Sequence, residues 1–314
     1  MKRYVLAAGL IFLIIMVTRC SFVDPSEEPN APRIFGATYM TRNNPYFDVL
    51  HEAITQVVEG NGDILISRDP CQNQEKQNGQ ILELIDEGTE VLFLNPVDWE
   101  TVRPALEACR EAGVVVINID TVVKDREYVT SIIETDNYQA GVLCAEDMMR
   151  RVDSAKIVVI NNPGQTSISN RVDGFLDTIA ENDNYEIVYE GIGRGEFEVS
   201  AKVMRDVLQK GVSFNVVLGG NDPTALGALA TLQQYRKEEG VLIYGIDGSP
   251  DFKGMLKLGY VTGTSAQSPE TIGRMAADIA YDYLDGKEVP EYLSIEPYMI
   301  TEENLDDYEV NGWQ

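Results

Sequence analysis

From Arg33 onward the chain alternates short runs rich in Val and Ile with longer amphipathic stretches, and this alternation leaves few architectures open to it. The runs Ile34 to Met40, Ile64 to Ser67, Val91 to Leu94 and Val114 to Ile119 are too uniformly apolar for a sheet with one wet face, so they are expected as buried parallel strands. Between them Pro45 to Val58, Gln72 to Asp86 and Trp99 to Ala112 have helical spacing, and the latter two end at Gly88 and Gly113, where a helix C-terminus favours glycine. The pattern then restarts, with strands at Ile157 to Ile160, Ile187 to Tyr189, Val216 to Leu218 and Leu242 to Ile246, and helices near Thr166 to Ala180, Val199 to Gln209 and Pro223 to Tyr235. Such an order specifies right-handed βαβ units and an α/β fold. At 314 residues the chain outgrows a single core, so two doubly wound parallel-sheet lobes are expected; one doubly wound domain of seven or eight strands is the alternative.

The N-terminus differs in kind. Lys2 and Arg3 precede the charge-free run Val5 to Val17, the layout of a secretory signal peptide over residues 1–19 and short for a stable membrane span. The protein is therefore expected outside the cytoplasm. Cys20 follows in "VTRC", the place of the lipid-modified cysteine of a bacterial lipoprotein, although Arg19 stands where a small residue is usual. Lipidation at Cys20 would anchor the protein to the outer face of the cell membrane; an uncleaved anchor and a different cleavage site are the other readings. Residues 20–32, with three prolines and no periodicity, read as a flexible tether.

The formal net charge of −26 repels phosphate backbones, which argues against nucleic acid as a partner. Beyond Cys20 there are Cys71, Cys109 and Cys144, an odd number that cannot all pair internally; no CxxC or Cys/His metal spacing occurs, and idle thiols are expected. Catalysis has little to stand on. The one histidine, His51, falls in the first helix, and no GxSxG occurs. "GIGRGEF" (Gly191 to Phe197) follows a strand but lacks the third glycine of a dinucleotide fingerprint. No cofactor and no metal is expected.

In open α/β sheets ligands bind beyond the carboxyl ends of the strands, and here those ends are polar in a consistent way. They read "TRNNPYF", "NPVDW", "DTVV", "NNPGQTS", "GGNDPTA", "DGSPD" and "SAQSPE". Any one of these is explained by turn formation or by an N-cap contributing about 1 kcal/mol. Together they place Asn44, Asn95, Asp120, Asn221, Asp247 and Gln267 at strand ends, all planar amides or carboxylates, which can bond two neighbouring hydroxyls at once. Tyr46 and Phe47 beside Asn44 would offer a ring face for the C–H side of a sugar, or else belong to the core of the helix that begins at Pro45.

"TRNNPYF", "LNPVDW", "INID", "GGNDPTALGAL", "YGIDGSPD" and "GTSAQSPETIG", in this order, resemble the bacterial sugar-binding proteins of the ribose-binding type that serve ABC importers, over about Arg33 to Glu309. The resemblance implies two lobes joined by three crossovers near Thr135, Gln267 and Tyr298. It divides the chain into residues 33–134 plus 268–296 and residues 135–267 plus 297–314. It also implies a monomer that encloses a monosaccharide or similar polyol, held by Asn44, Tyr46, Phe47, Asn95, Asp120, Asn221, Asp247 and Gln267, and hands it to a membrane permease. A sensor that reports ligand status to a receptor kinase is the alternative. The chain departs from the family pattern at Thr121 and Ser169, where arginines are common, and at Gly195, where an aromatic is; Arg42, Arg171, Arg194 and Phe197 are the candidate substitutes.

Overall fold

A computed structural model describes residues 31–313; the expected signal segment, Cys20 and most of the tether lie outside the described residues. The chain first runs through β1 (Ile34–Thr38), α1 (Pro45–Gly60), β2 (Ile64–Arg68), α2 (Gln74–Asp86), β3 (Val91–Leu94), α3 (Arg103–Ala112), β4 (Val115–Ile119) and β5 (Ser131–Thr135). It then repeats the scheme with α4 (Asn137–Arg151), β6 (Ala155–Asn161), α5 (Thr166–Ile179), β7 (Tyr185–Ile192), α6 (Phe197–Gln209), β8 (Val216–Gly219), α7 (Asp222–Tyr235), β9 (Leu242–Asp247), α8 (Pro250–Lys257) and β10 (Gly263–Ala266). It closes with α9 (Pro269–Leu284), β11 (Tyr292–Ile295) and β12 (Tyr298–Thr301).

Two six-stranded sheets result, in the orders β11-β5-β4-β3-β1-β2 and β12-β10-β9-β8-β6-β7. All pairings are parallel except β10 with β12. The two-lobed α/β expectation is met, and the single-sheet alternative is not. Between β5 and α4, between β10 and α9, and between β11 and β12 the chain passes from one sheet's layer to the other's.

Each sheet is covered on both faces, as uniformly apolar parallel strands require. One face of the first sheet packs Phe35, Ile117 and Ile133 against Leu50 and Ile54 of α1 and Ile272 and Ala276 of α9. The other face buries Leu92 and Val116 under Leu84 and Leu106. In the second sheet Val158 and Val217 meet Leu229 and Phe252 on one side, while Ile157 and Val216 meet Cys144 and Phe175 on the other.

Helix starts follow capping chemistry. Asn44, Asn73, Asp136, Asn221 and Ser249 each accept a hydrogen bond from a backbone N–H in the first turn that follows. Two helices begin later than periodicity predicts. α2 starts at Gln74 because Cys71 and Gln72 take φ of 53° and 62°, outside the right-handed helix. α3 starts at Arg103 because Asp98 Oδ1 accepts from the N–H groups of Glu100 and Thr101 and from the Thr101 hydroxyl, holding the chain in a turn. Cys71 is exposed and Cys109 and Cys144 are buried, all as free thiols.

Candidate functional site

In both sheets the strand order reverses beside the first strand of the repeat, β1 next to β3 and β6 next to β8, and the loops that leave these strands at their carboxyl ends face one another. Asn95, just after β3, is fully buried and ties three strand ends together. Its Oδ1 accepts from Met40 N–H at 3.0 Å, and its Nδ2 donates to Asp120 Oδ2 at 2.9 Å. Asp120, just after β4, is in the left-handed region (φ 62°) and also accepts from the Thr121 hydroxyl at 3.2 Å.

From the other lobe, Asp247 ends β9 with φ 149°. Its Oδ1 accepts from Gln267 Nε2 at 2.7 Å; its Oδ2 is buried with no hydrogen-bond partner. Gln267 Oε1 in turn accepts from the Thr135 hydroxyl at 2.7 Å and the Tyr46 hydroxyl at 3.4 Å. Backbone held in such sparsely populated regions costs about 1–3 kcal/mol per residue, and both aspartates sit where it aims a carboxylate inward.

The cation between them is Arg171 on α5, 3% exposed. It donates from Nε to Asn137 Oδ1 (2.8 Å) and from Nη1 to Gly220 O (2.9 Å). Its guanidinium lies 3.6 Å from Asp247 Oδ1 and 3.9 Å from Asp120 Oδ1. Burial pushes both aspartates above the ordinary carboxylate range, most strongly Asp247, and Arg171 pulls each back down. The Tyr46 hydroxyl is held neutral, again chiefly by burial. Direct bonds then seal the lobes: Thr121 Oγ1 to Ser167 Oγ at 2.9 Å, Val122 N–H to Thr166 Oγ1 at 3.0 Å, and Trp99 N–H to Gly164 O at 3.3 Å.

The structure thus brings Asn95, Asp120, Asp247, Gln267 and Tyr46 into one buried network. Asn44 and Asn221 take the capping role open to them: Asn44 accepts from Tyr46 N–H, and Asn221 accepts from Thr224 N–H while its Nδ2 donates to Gly195 O at 3.1 Å. Phe47 has no polar partner to bring; its ring packs at 5.9 Å from Tyr39 and 5.3 Å from Tyr46 within the first lobe's core. Asn44 also lines a cavity of about 240 Å³ at the cleft mouth, with Thr41, Asn43, Phe197, Ser249 and Trp313.

Of the arginines named as substitutes, Arg171 occupies the centre, Arg42 pairs with Asp48 at the surface, and Arg194 lines a second, more open mouth cavity. At Thr121 the side chain is a hydroxyl that pairs with that of Ser167 from the other lobe. Among the described residues no group of His, Cys, Asp and Glu is placed to hold a metal ion. The chemistry available is acceptor-rich recognition around one buried guanidinium.

The sequence profile of the periplasmic binding protein domain matches residues 35–288. The ribose import binding protein RbsB of Bacillus subtilis is 28% identical over 293 residues, spanning 91% of this chain and 94% of that protein. Among solved structures, an ABC transporter solute binding protein from Mycobacterium smegmatis with bound glycerol superposes with a TM-score of 0.83 at 27% identity, covering 88% of this chain and 96% of that one. One from Bacillus halodurans with bound myo-inositol reaches 0.84 at 21% identity over 91% and 100%, a likeness of fold. The matched profile runs from β1 through α9 and takes in every residue of the buried network, and the chain belongs to the periplasmic binding protein family.

Proposed function

We propose that this protein is an extracytoplasmic solute-binding protein that encloses a small polyhydroxylated molecule, a monosaccharide or cyclic polyol, and delivers it to an ABC importer. The observation that carries the reading is the buried, unpartnered Asp247 Oδ2 beside Arg171, in the line where the lobes meet. A buried carboxylate oxygen without a donor costs about 1–3 kcal/mol or more, and a ligand hydroxyl would supply the donor. Asp120, Gln267 and the Tyr46 hydroxyl stand beside it as further contacts, with Asn95 fixing Asp120 and Asn221 fixing the loop that bonds Arg171. Ribose, glycerol and myo-inositol, named for the relatives above, are all polyhydroxylated, which supports the class and leaves the member open. Such a role is one of binding and release, not catalysis.

The lobes would hinge at the three chain crossings. The ligand would shift the population to the closed form through contacts made with both lobes at once.

A thermal-shift screen of D-ribose, D-allose, glycerol and myo-inositol tests the reading, since a ligand at about 100 times its Kd adds about 2.7 kcal/mol to the native state. At least one should raise Tm in the wild type and fail to do so at the same concentration in Asp247→Ala. Equal shifts in both proteins would remove Asp247 from the site, and no shift with a wider panel of pentoses, hexoses and polyols would end the polyol reading.

A further inference from the structure

Residues 305–313 take no part in the binding network described above, yet they lie across its entrance. Leu305, Tyr308 and Val310 pack into the second lobe's core, Tyr308 stacked on Tyr298 at 5.3 Å between ring centroids. Lys253, on α8 of the same lobe, is fully buried and donates from Nζ to the carbonyls of Glu309 (2.6 Å) and Gly312 (2.7 Å). An ammonium without water around it needs such acceptors, so the two carbonyls fix the path of the backbone up to Gly312. The next residue leaves the second lobe. Trp313 packs on the first lobe's core cluster, its ring 6.0 Å from that of Tyr46 at 68°. It also lines the 240 Å³ mouth cavity, whose walls come from Asn43 and Asn44 on one side and Phe197 and Ser249 on the other.

We infer that the C-terminal segment is a latch across the cleft, and that Trp313 is a further residue setting ligand affinity, through the closed state. The mechanics follow from the anchoring. Lys253 holds the segment to the second lobe, so separating the lobes must draw the indole away from Tyr46. Its packing therefore exists only in the closed form and weights the equilibrium toward closure. Trp313 also packs edge-on against Tyr46, whose hydroxyl bonds Gln267 inside the network, so a solute leaving through this mouth does so only after the indole has moved. The position suits an aromatic plug: Gly195, opposite Asn44 across the same cavity, carries no side chain.

The inference rests on the proposed binding role only for its effect on ligand release; its effect on lobe closure is independent of any ligand. The test compares wild type, Trp313→Ala and Trp313→Phe in two measurements. Small-angle scattering of the ligand-free proteins should show a larger radius of gyration for the alanine variant, with phenylalanine in between. Stopped-flow release of D-ribose or myo-inositol, whichever binds the wild type, should be about tenfold faster in Trp313→Ala, the scale of one lost aromatic contact, and partly restored by phenylalanine. Circular dichroism melting checks that the variants fold, and the phenylalanine variant keeps the comparison readable if alanine unfolds the tail. If neither probe binds the wild type, the polyol reading suffers while the scattering comparison still decides the latch. Unchanged dimensions together with an unchanged release rate would overturn it.

Discussion

Arg171 allows Asp120 and Asp247 to share one buried site, and its removal should be felt in the fold before it is felt in binding. Taking away one partner of a buried ion pair typically costs about 3–5 kcal/mol, because the remaining charge is left uncompensated. Arg171→Met should therefore lower the urea midpoint substantially, whereas Asp247→Asn, which deletes a charge and leaves the guanidinium facing Asp120, should cost much less. Equal losses in the two variants would mean that the packing of α5, and not the charge balance, is what Arg171 serves. At this scale the sequence is informative about polar groups and poor about their tasks. Asp120, Asp247 and Gln267 are legible as strand-end residues, but whether an amide such as Asn95 faces a ligand or a neighbouring strand depends on loops that only the folded chain brings together. Arg171 did leave a signal. It falls on the buried stripe of α5 with Ile168, Val172 and Phe175, where a charged residue has to have a buried partner.

At the scale of elements, α4 and α5 approach so closely that two glycines carry the contact. A Cβ on Gly141 would stand 1.8 Å from Arg171 O, and one on Gly174 would stand 2.0 Å from Tyr138 O, both backbone atoms of the facing helix. Neither clash can be relieved by turning a side chain, so Gly174→Ala should cost at least the about 1–3 kcal/mol typical of overpacking, read as a fall in Tm. An unchanged Tm would show that the helices can separate freely. Because Arg171 projects from this contact, the same variant should also weaken any ligand held at Asp247. The central strands were legible as short, mostly apolar runs: β3 lies where periodicity predicts, and β4, β8 and β9 within a residue of it. Strands β5, β11 and β12 were not, since Ser131, Glu134, Ser294 and Thr301 break the apolar run at or near the sheet edge. Specific bonding ties β5 in nonetheless: the Ser131 hydroxyl donates to Pro290 O at 2.7 Å and the Tyr292 hydroxyl to Glu134 Oε1 at 2.9 Å, which no local pattern announces.

For the whole molecule, Glu134 links stability to pH at the first chain crossing. Burial pushes its carboxyl up to about 7, against the lowering bonds from Tyr292 and Asn137, with Asp120 adding to the rise and Arg126 opposing it. The folded state thus holds this proton more tightly than the unfolded chain does. Its contribution to stability is complete below the ordinary value of 4.5 and is lost as pH climbs through about 7. At about 1.4 kcal/mol per pH unit the loss is on the order of 3 kcal/mol. Glu134→Gln stays neutral, so the fall in its unfolding free energy between about pH 5 and pH 7.5 should be smaller than the wild type's by that amount; matching falls would assign the pH dependence to other buried carboxyls such as Asp222. The three crossings have a consequence for the order in which the protein is made. The first lobe begins at Ile34 but takes Ile272, Ala276 and Ala277 into its core and β11 onto its sheet, while the second lobe waits for Ile300 and Leu305. Neither can be completed during synthesis until the chain has grown past Ile295 and Leu305 respectively, so from Ile34 to that point it stays without a finished domain, a state open to handling as an extended polymer.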